Sequence, residues 1–186
     1  MELSEVVYQR RSLRDYATTQ IPQELLERLV DAAIQAPSAM NEQPWHFTIV
    51  RNPALLDRIS RDSKAYMLVT SHDMAKADHY RKLLGSEDFH IFYHAPALIV
   101  ISAPSRTRWV VEDCALAAQN LMLAAHSMGL GTCWIGFAQS WLGTTEGKQA
   151  IGLSDMLQPV APIIVGYPKG AAHPVPREAP DIRWID

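Results

Sequence analysis

Apolar positions fall into two periods along this chain, and the switches between them outline its elements. Leu3, Val6, Val7 and Arg10 follow helical spacing, which predicts a short first helix whose end delivers a run of arginines. Ile21-Pro22 opens a second helix, because proline suits a first turn. Leu25, Leu26, Leu29, Val30, Ala33 and Ile34 make its stripe, and Pro37 stops it by disfavouring helical geometry in the preceding residue. His46 to Val50 reads as a strand, and Asn52-Pro53 starts a helix carrying Leu55, Leu56 and Ile59. Residues 62–90 are polar and ambiguous, with helix around Met74 to Leu84 ending at Gly85. The β-branched run Ala97 to Ile101 predicts a buried strand.

Trp109 to Met128 is the longest helical segment and is apolar nearly all round, which places it at the centre of the fold. Gly129 closes it as a left-handed terminator. A short strand over Gly131 to Ile135, a helix near Ser140 to Ala150 and a last core strand from Ala161 to Tyr167 follow. This order argues for a mixed α+β sheet domain spanning residues 1–186, with no repeat and no dividing linker. From Pro168 onward the chain is proline-rich and reads as an extended arm without a core of its own, for which a partner subunit is the simplest support.

With 186 residues, 48% of them hydrophobic, the chain can bury one good core. A formal net charge of −3 gives no bulk attraction to nucleic acid or an anionic membrane. The first residues carry two acids and no long apolar run, unlike a signal peptide, and the Ala95 to Ala103 stretch is far shorter than the roughly 20 residues that span a bilayer. Cys114 and Cys133 are too sparse for a disulfide scaffold. A soluble cytoplasmic protein is expected.

Against that charge, three arginines within Arg10-Arg11-Ser12-Leu13-Arg14 are a local feature. Arg10 and Arg14 would share a face if the helix continued, and guanidinium forks with a neighbouring hydroxyl match phosphate oxygens. A solvated basic turn offsetting Glu2, Glu5 and Asp15 fits the composition as well. A second segment, Pro37-Ser38-Ala39-Met40-Asn41-Glu42-Gln43-Pro44-Trp45, offers small and amide side chains that can serve a polyol or ring edge, or simply end a helix before a core aromatic.

Other patterns are weaker. Gly129-Leu130-Gly131 follows a helix, whereas a dinucleotide fingerprint follows a strand. His90 and His94 lie four apart, but the surrounding sequence offers no third ligand, so no metal is expected. There is no Gly-x-Ser-x-Gly elbow and no P-loop, and neither cysteine reads as a nucleophile.

In this order and spacing the two segments resemble the FMN-dependent nitroreductase family. The resemblance implies a nitroreductase-like α+β fold, with a central, mostly antiparallel sheet flanked by helices. It also implies an entwined homodimer with two FMN molecules at its interface and the arm, about 168–186, packed on the partner. Arg10, Arg11, Ser12 and Arg14 would bind FMN, one arginine at the ring and others at the phosphate. Pro37, Ser38, Ala39, Met40, Asn41 and Gln43 would cover the flavin of the second subunit. Trp134, Ile135 and Gly136 would be flavin neighbours, with a backbone N–H near N5 and Ile135 standing where the family carries glutamate. Arg177 would meet the phosphate, ahead of Lys169 and Arg183. Lys64 is a candidate for the ring, while Trp109, Trp134, Trp141 and Phe89 could line the pocket or equally pack the core. The implied reaction is ping-pong transfer of hydride from NAD(P)H through FMN to a nitroaromatic, quinone or similar acceptor, with no protein acid, base or nucleophile. A reductive dehalogenase-like flavoenzyme and a non-enzymatic FMN-binding dimer are the alternatives.

Overall fold

The computed structural model describes residues 1–70, 77–105, 108–170, 172 and 174–185. Its elements run α1 (Leu3–Gln9), α2 (Gln23–Ala33), a 3-10 turn (Ala39–Asn41), β1 (His46–Val50), α3 (Pro53–Thr70), α4 (Ala77–Gly85), β2 (Ala97–Pro104), α5 (Val110–Ser127), β3 (Gly131–Trp134), α6 (Gly136–Leu142), α7 (Thr145–Ala150) and β4 (Leu157–Gly166). The expected helix start at Met74 lies outside the described residues.

The four strands form one sheet in the order β1-β2-β4-β3, every neighbour antiparallel. β2 and most of β4 are buried on both faces because helices cover both sides. Alternation then divides their side chains between two cores. Ala97, Ile99 and Ile101 join Leu29 of α2 and Cys114, Ala118 and Leu121 of α5 on one face. Leu98, Val100 and Ile164 join Ile59 of α3 and Ala138, Trp141 and Leu142 of α6 on the other. Fully burying each such aliphatic side chain contributes about 1.5–3 kcal/mol. A register shift at Ile101/Ser102 leaves Val160 as an extra residue beside Pro159, an irregularity of the kind that admits proline in a sheet, while Pro162 pairs in regular register with Val100.

Some boundaries differ from the sequence reading for local reasons. Pro22 is the N-cap of α2, one residue outside its first turn. The helix expected near Ser140 to Ala150 is two helices, because the Thr144 hydroxyl accepts from Gly147 N–H at 3.0 Å and starts α7 afresh. α5 is not buried all round: Val111 and Leu116 lie on an exposed side of the single chain. Gly129 does adopt the left-handed conformation, at φ 76°. Beyond Gly166 the chain bridges Tyr16 to Pro168 and then runs exposed, with no regular element among its described residues. No helix among the described residues is long and apolar enough to cross a membrane.

Two buried thiols and a buried phenol link this packing to pH. Burial pushes the Cys114 thiol up to about 12, and burial also raises Cys133 and Tyr16. The unfolded chain therefore gives up these protons at lower pH than the folded one, so stability declines as pH rises beyond about 9, near the ordinary thiol range. Thermal melts at pH 7.5, 9 and 10 should show a falling Tm, and an unchanged Tm at pH 10 contradicts this account.

Candidate cofactor site

α1 ends at Gln9, before the arginines, so Arg10–Arg14 is not helical and the expected shared helix face does not form. Instead the segment lies along β3: Leu13 N–H donates to the Thr132 carbonyl at 2.9 Å, and Ser12 bridges Thr132 in parallel. In an extended segment alternate residues share a side. Leu13 turns inward against Gly131, where any Cβ would lie 2.2 Å from the Leu13 side chain. Arg10, Ser12 and Arg14 lie near enough to the buried thiol of Cys133 to bear on it. Burial raises that thiol, opposed in turn by the Arg14 charge, a Ser12 hydrogen bond and the Arg10 charge.

The cations are crowded. Burial, then Arg177, then Arg11 hold Arg10 below the usual guanidinium range, so Arg177 of the arm lies near enough for its charge to bear on Arg10. Burial and the same two arginines, Arg10 and Arg11, lower His126 at the end of α5. Among the described residues the ion pairs are Arg58–Asp62, Arg61–Asp62 and His90–Asp57, and none includes Arg10, Arg11, Arg14 or Arg177. Glu2 and Glu5 do not offset them either, since they form a capping box at the far end of α1. Arg11 also closes α1, its Nη1 donating to the Tyr8 and Arg10 carbonyls at 2.6 and 2.8 Å. Its Nε and the His126 Nε2 are buried without partners. A cavity of about 370 Å³ lies between this segment and the arm, lined by Arg11, Ser12, Arg14, Asp15, Gly170 and Val175 among others. Concentrated, partly desolvated cations with orphaned donors suit an anion of more than one charge.

Tyr16 and Tyr93 complete the surroundings. Tyr16 donates to the Leu13 carbonyl at 2.6 Å, and Tyr93, held at φ 50°, hydrogen-bonds Arg14. Sequence reasoning missed Tyr93, Cys133 and His126, although Cys133 directly precedes the Trp134-Ile135-Gly136 stretch that the resemblance singled out.

The 37–43 loop is held differently. Its N-terminal part is tied to α5 by the Ala39 N–H, which donates to Asp113 Oδ1 at 2.9 Å. Gln43 N–H donates to the Ser38 hydroxyl at 2.9 Å, and the Gln43 side chain donates to Asn41 at 3.1 Å. Met40, Asn41 and Gln43 all have left-handed backbones, at φ 52°, 56° and 48°. Such conformations persist in non-glycine residues only where surroundings impose them. Met40 is 91% exposed, and neither Pro37, Ser38 nor any other loop residue lines the arginine cavity of its own chain.

Ile135 is buried in the core, with its N–H bonded to the Pro162 carbonyl at 2.8 Å and its carbonyl accepting from Ala138 N–H at 3.2 Å, so neither its side chain nor its backbone is free for a ligand in this chain. Trp134 packs partly buried against the α5 side of the sheet. Gly136 opens α6, and a Cβ there would meet nothing within 4 Å, so packing within the chain does not demand its glycine. Lys64 is committed elsewhere: its Nζ donates to the Ser86 and Phe89 carbonyls at 2.6 and 2.8 Å. Trp141 is core, Phe89 packs edge-on to Tyr93, and Trp109 lies under the Arg108 guanidinium. None of these aromatics lines the arginine cavity, and neither do Lys169 and Arg183.

A nitroreductase family profile matches residues 7–167, and the chain belongs to the nitroreductase family. A Methanothermobacter thermautotrophicus protein provisionally designated an NADH dehydrogenase/NAD(P)H nitroreductase is 31% identical over 172 residues, covering 90% of this chain and 78% of that protein. The crystal structure of a Bacteroides fragilis nitroreductase with bound FMN superposes with a TM-score of 0.87 at 29% identity, over 100% of both chains. A Desulfitobacterium hafniense nitroreductase with bound FMN gives 0.82 at 27%, again over both full chains.

Proposed function

We propose that this protein is a cytoplasmic NAD(P)H-dependent FMN oxidoreductase that works as a homodimer and reduces a nitroaromatic, a quinone or a similar acceptor. The observation that carries the reading is the gathering of Arg10, Ser12 and Arg14 about Cys133, near Arg177 and with none of these arginines in an ion pair among the described residues, in a fold shared with FMN-bound relatives. Bound FMN would supply the redox chemistry, taking hydride from the nicotinamide at N5 and passing it on. The chain supplies position and charge. Arg10, Arg11 and Arg177 would hold the phosphate, with Ser12 as a further donor. Arg14, oriented by Tyr93, would face the pyrimidine edge, where a cation favours the extra electron density of reduced flavin. The open space at Gly136 lets backbone approach the ring at closest range.

Dimerisation is supported by apolar groups left uncovered: Leu3, Val7 and Tyr8 on α1, Val111 and Leu116 on α5, and Ile182, Trp184 and Ile185 on the arm. In that reading one domain, residues 1–186, keeps the start of its arm at its own arginines and lends the 37–43 loop and the exposed end of the arm, Ile182 to Ile185, to the partner. The loop's strained backbone and exposed Met40 would then find their contacts across the interface.

The test is the visible spectrum of purified protein before and after anaerobic NADPH, then NADH. Flavin absorbance that bleaches and returns with a quinone or nitroaromatic is the expected result. A colourless protein that fails to take up added FMN overturns the reading.

A further inference from the structure

The fold builds a second cluster outside the arginine site. His90 and His94 have their ring centroids 4.4 Å apart, and Asp57, from the first turns of α3, completes the group. The third ligand missing from the local sequence is thus supplied by another element. One ligand atom from each residue can be chosen so that all three lie within 4.8 Å of one another. The His90 Nε2 to Asp57 Oδ1 distance is 3.2 Å. In a tetrahedral zinc site with bonds of about 2.0–2.1 Å, two ligand atoms sit roughly 3.3–3.4 Å apart. One edge of such a site is therefore already formed.

The backbone works to make this arrangement. Tyr93 and His94 are consecutive left-handed residues, at φ 50° and 54°, inside a turn closed by Tyr93 N–H to the His90 carbonyl and Ala95 N–H to the Phe92 carbonyl, each at 2.9 Å. That turn folds His94 back over His90. The three residues also sit where two cavities meet, one of about 730 Å³ and one of about 170 Å³, and all three line both. Coordination positions not filled by protein thus open to solvent. The larger cavity is lined by the charges of Asp57, Glu87, Asp88, Arg61 and Lys64. The Lys64 ammonium is bound by two carbonyls, and Arg61 pairs with Asp62 at 3.3 Å.

We propose that Asp57, His90 and His94 bind one divalent ion of the zinc class, through two imidazoles and a carboxylate, with the remaining positions held by water. Imidazole and carboxylate donors suit zinc, cobalt and nickel rather than calcium or magnesium. Phe92 N–H donates to His90 Nδ1 at 3.2 Å, so in the metal-free form Nε2 carries the proton and shares it with Asp57. The ion takes that proton's place between the two. Neutral imidazole then carries its proton on Nδ1, and the Phe92 bond is given up on loading.

Tag-free protein, stripped with EDTA and then dialysed, is titrated with Zn²⁺ by calorimetry and with Co²⁺ by visible absorption. Ring nitrogens are followed by ¹⁵N NMR. Expected are one ion per chain at micromolar Kd or tighter, cobalt d–d bands, and transfer of the His90 proton from Nε2 to Nδ1. His94→Asn, which keeps a residue tolerant of the left-handed backbone, and Asp57→Asn should each weaken binding at least tenfold while Tm and FMN content stay unchanged. Binding that is absent at 100 µM metal, or that is identical in both variants, overturns the proposal. Since neither residue touches the arginine cavity, the result stands independently of whether FMN binds.

Discussion

Arg10→Gln is expected to weaken FMN binding by one to two orders of magnitude while leaving the flavin-free protein at least as stable as before. Hydrogen bonds to charged groups are worth about 1.5–3 kcal/mol each, and each 1.4 kcal/mol is a factor of ten in Kd. The opposite sign for stability follows from the crowding. Without an anion, Arg10 is disfavoured by its own burial and by Arg177 and Arg11, so removing its charge relieves repulsion. Fluorescence titration with FMN and paired thermal melts measure both effects. Arg108→Gln, whose side chain lies over the Trp109 ring at 5.0 Å, is the control for a general loss of positive charge. Unchanged FMN affinity in Arg10→Gln would remove the phosphate from this cluster.

The second large effect concerns the scaffold. Gly147→Ala would place a Cβ 2.1 Å from the Trp141 carbonyl oxygen and 2.7 Å from the Leu142 Cα. Both are backbone atoms of α6, whose side chains Trp141 and Leu142 are buried beneath the sheet. No rotamer change relieves such a clash, so the cost belongs at the top of the usual overpacking range, about 3 kcal/mol. At about 2–4 °C per kcal/mol for a chain of this size, Tm should fall by roughly 6–12 °C. Gly136→Ala, with open space around its Cβ, should leave the flavin-free Tm where it is. A Gly147→Ala protein that melts like the parent shows that the α6–α7 corner yields more easily than its packing implies.

The parts of the fold legible in the sequence are those where one residue type repeats. β2 and β4 are read from runs of buried aliphatics, and Gly129 from its position after a long helix, because burial on both faces and a left-handed turn leave direct traces. Periodicity is less informative at Gly143-Thr144, where a hydroxyl cap divides what reads as one helix. The candidate site shows the same division. Arg10, Ser12 and Arg14 are visible as a motif, yet their placement comes from a non-helical segment paired with Thr132, not from a helical face. Cys133, Tyr93, His126 and Asp113 reach the site or its loop through tertiary packing alone. Asp57 joins His90 and His94 in the same way, from a helix that nothing in the sequence links to them.

The pairing of Ser12 with Thr132 also sets an order of events during synthesis. The ribosome makes the arginine segment early, but the strand that orients it emerges much later, and Arg177 later still. Until then the clustered charges cannot assemble, and a nascent chain has no built pocket with which to seize a flavin. Contacts so distant in sequence form slowly relative to local helices. On the proposed reading, flavin capture therefore waits until both β3 and Arg177 have joined the arginine segment.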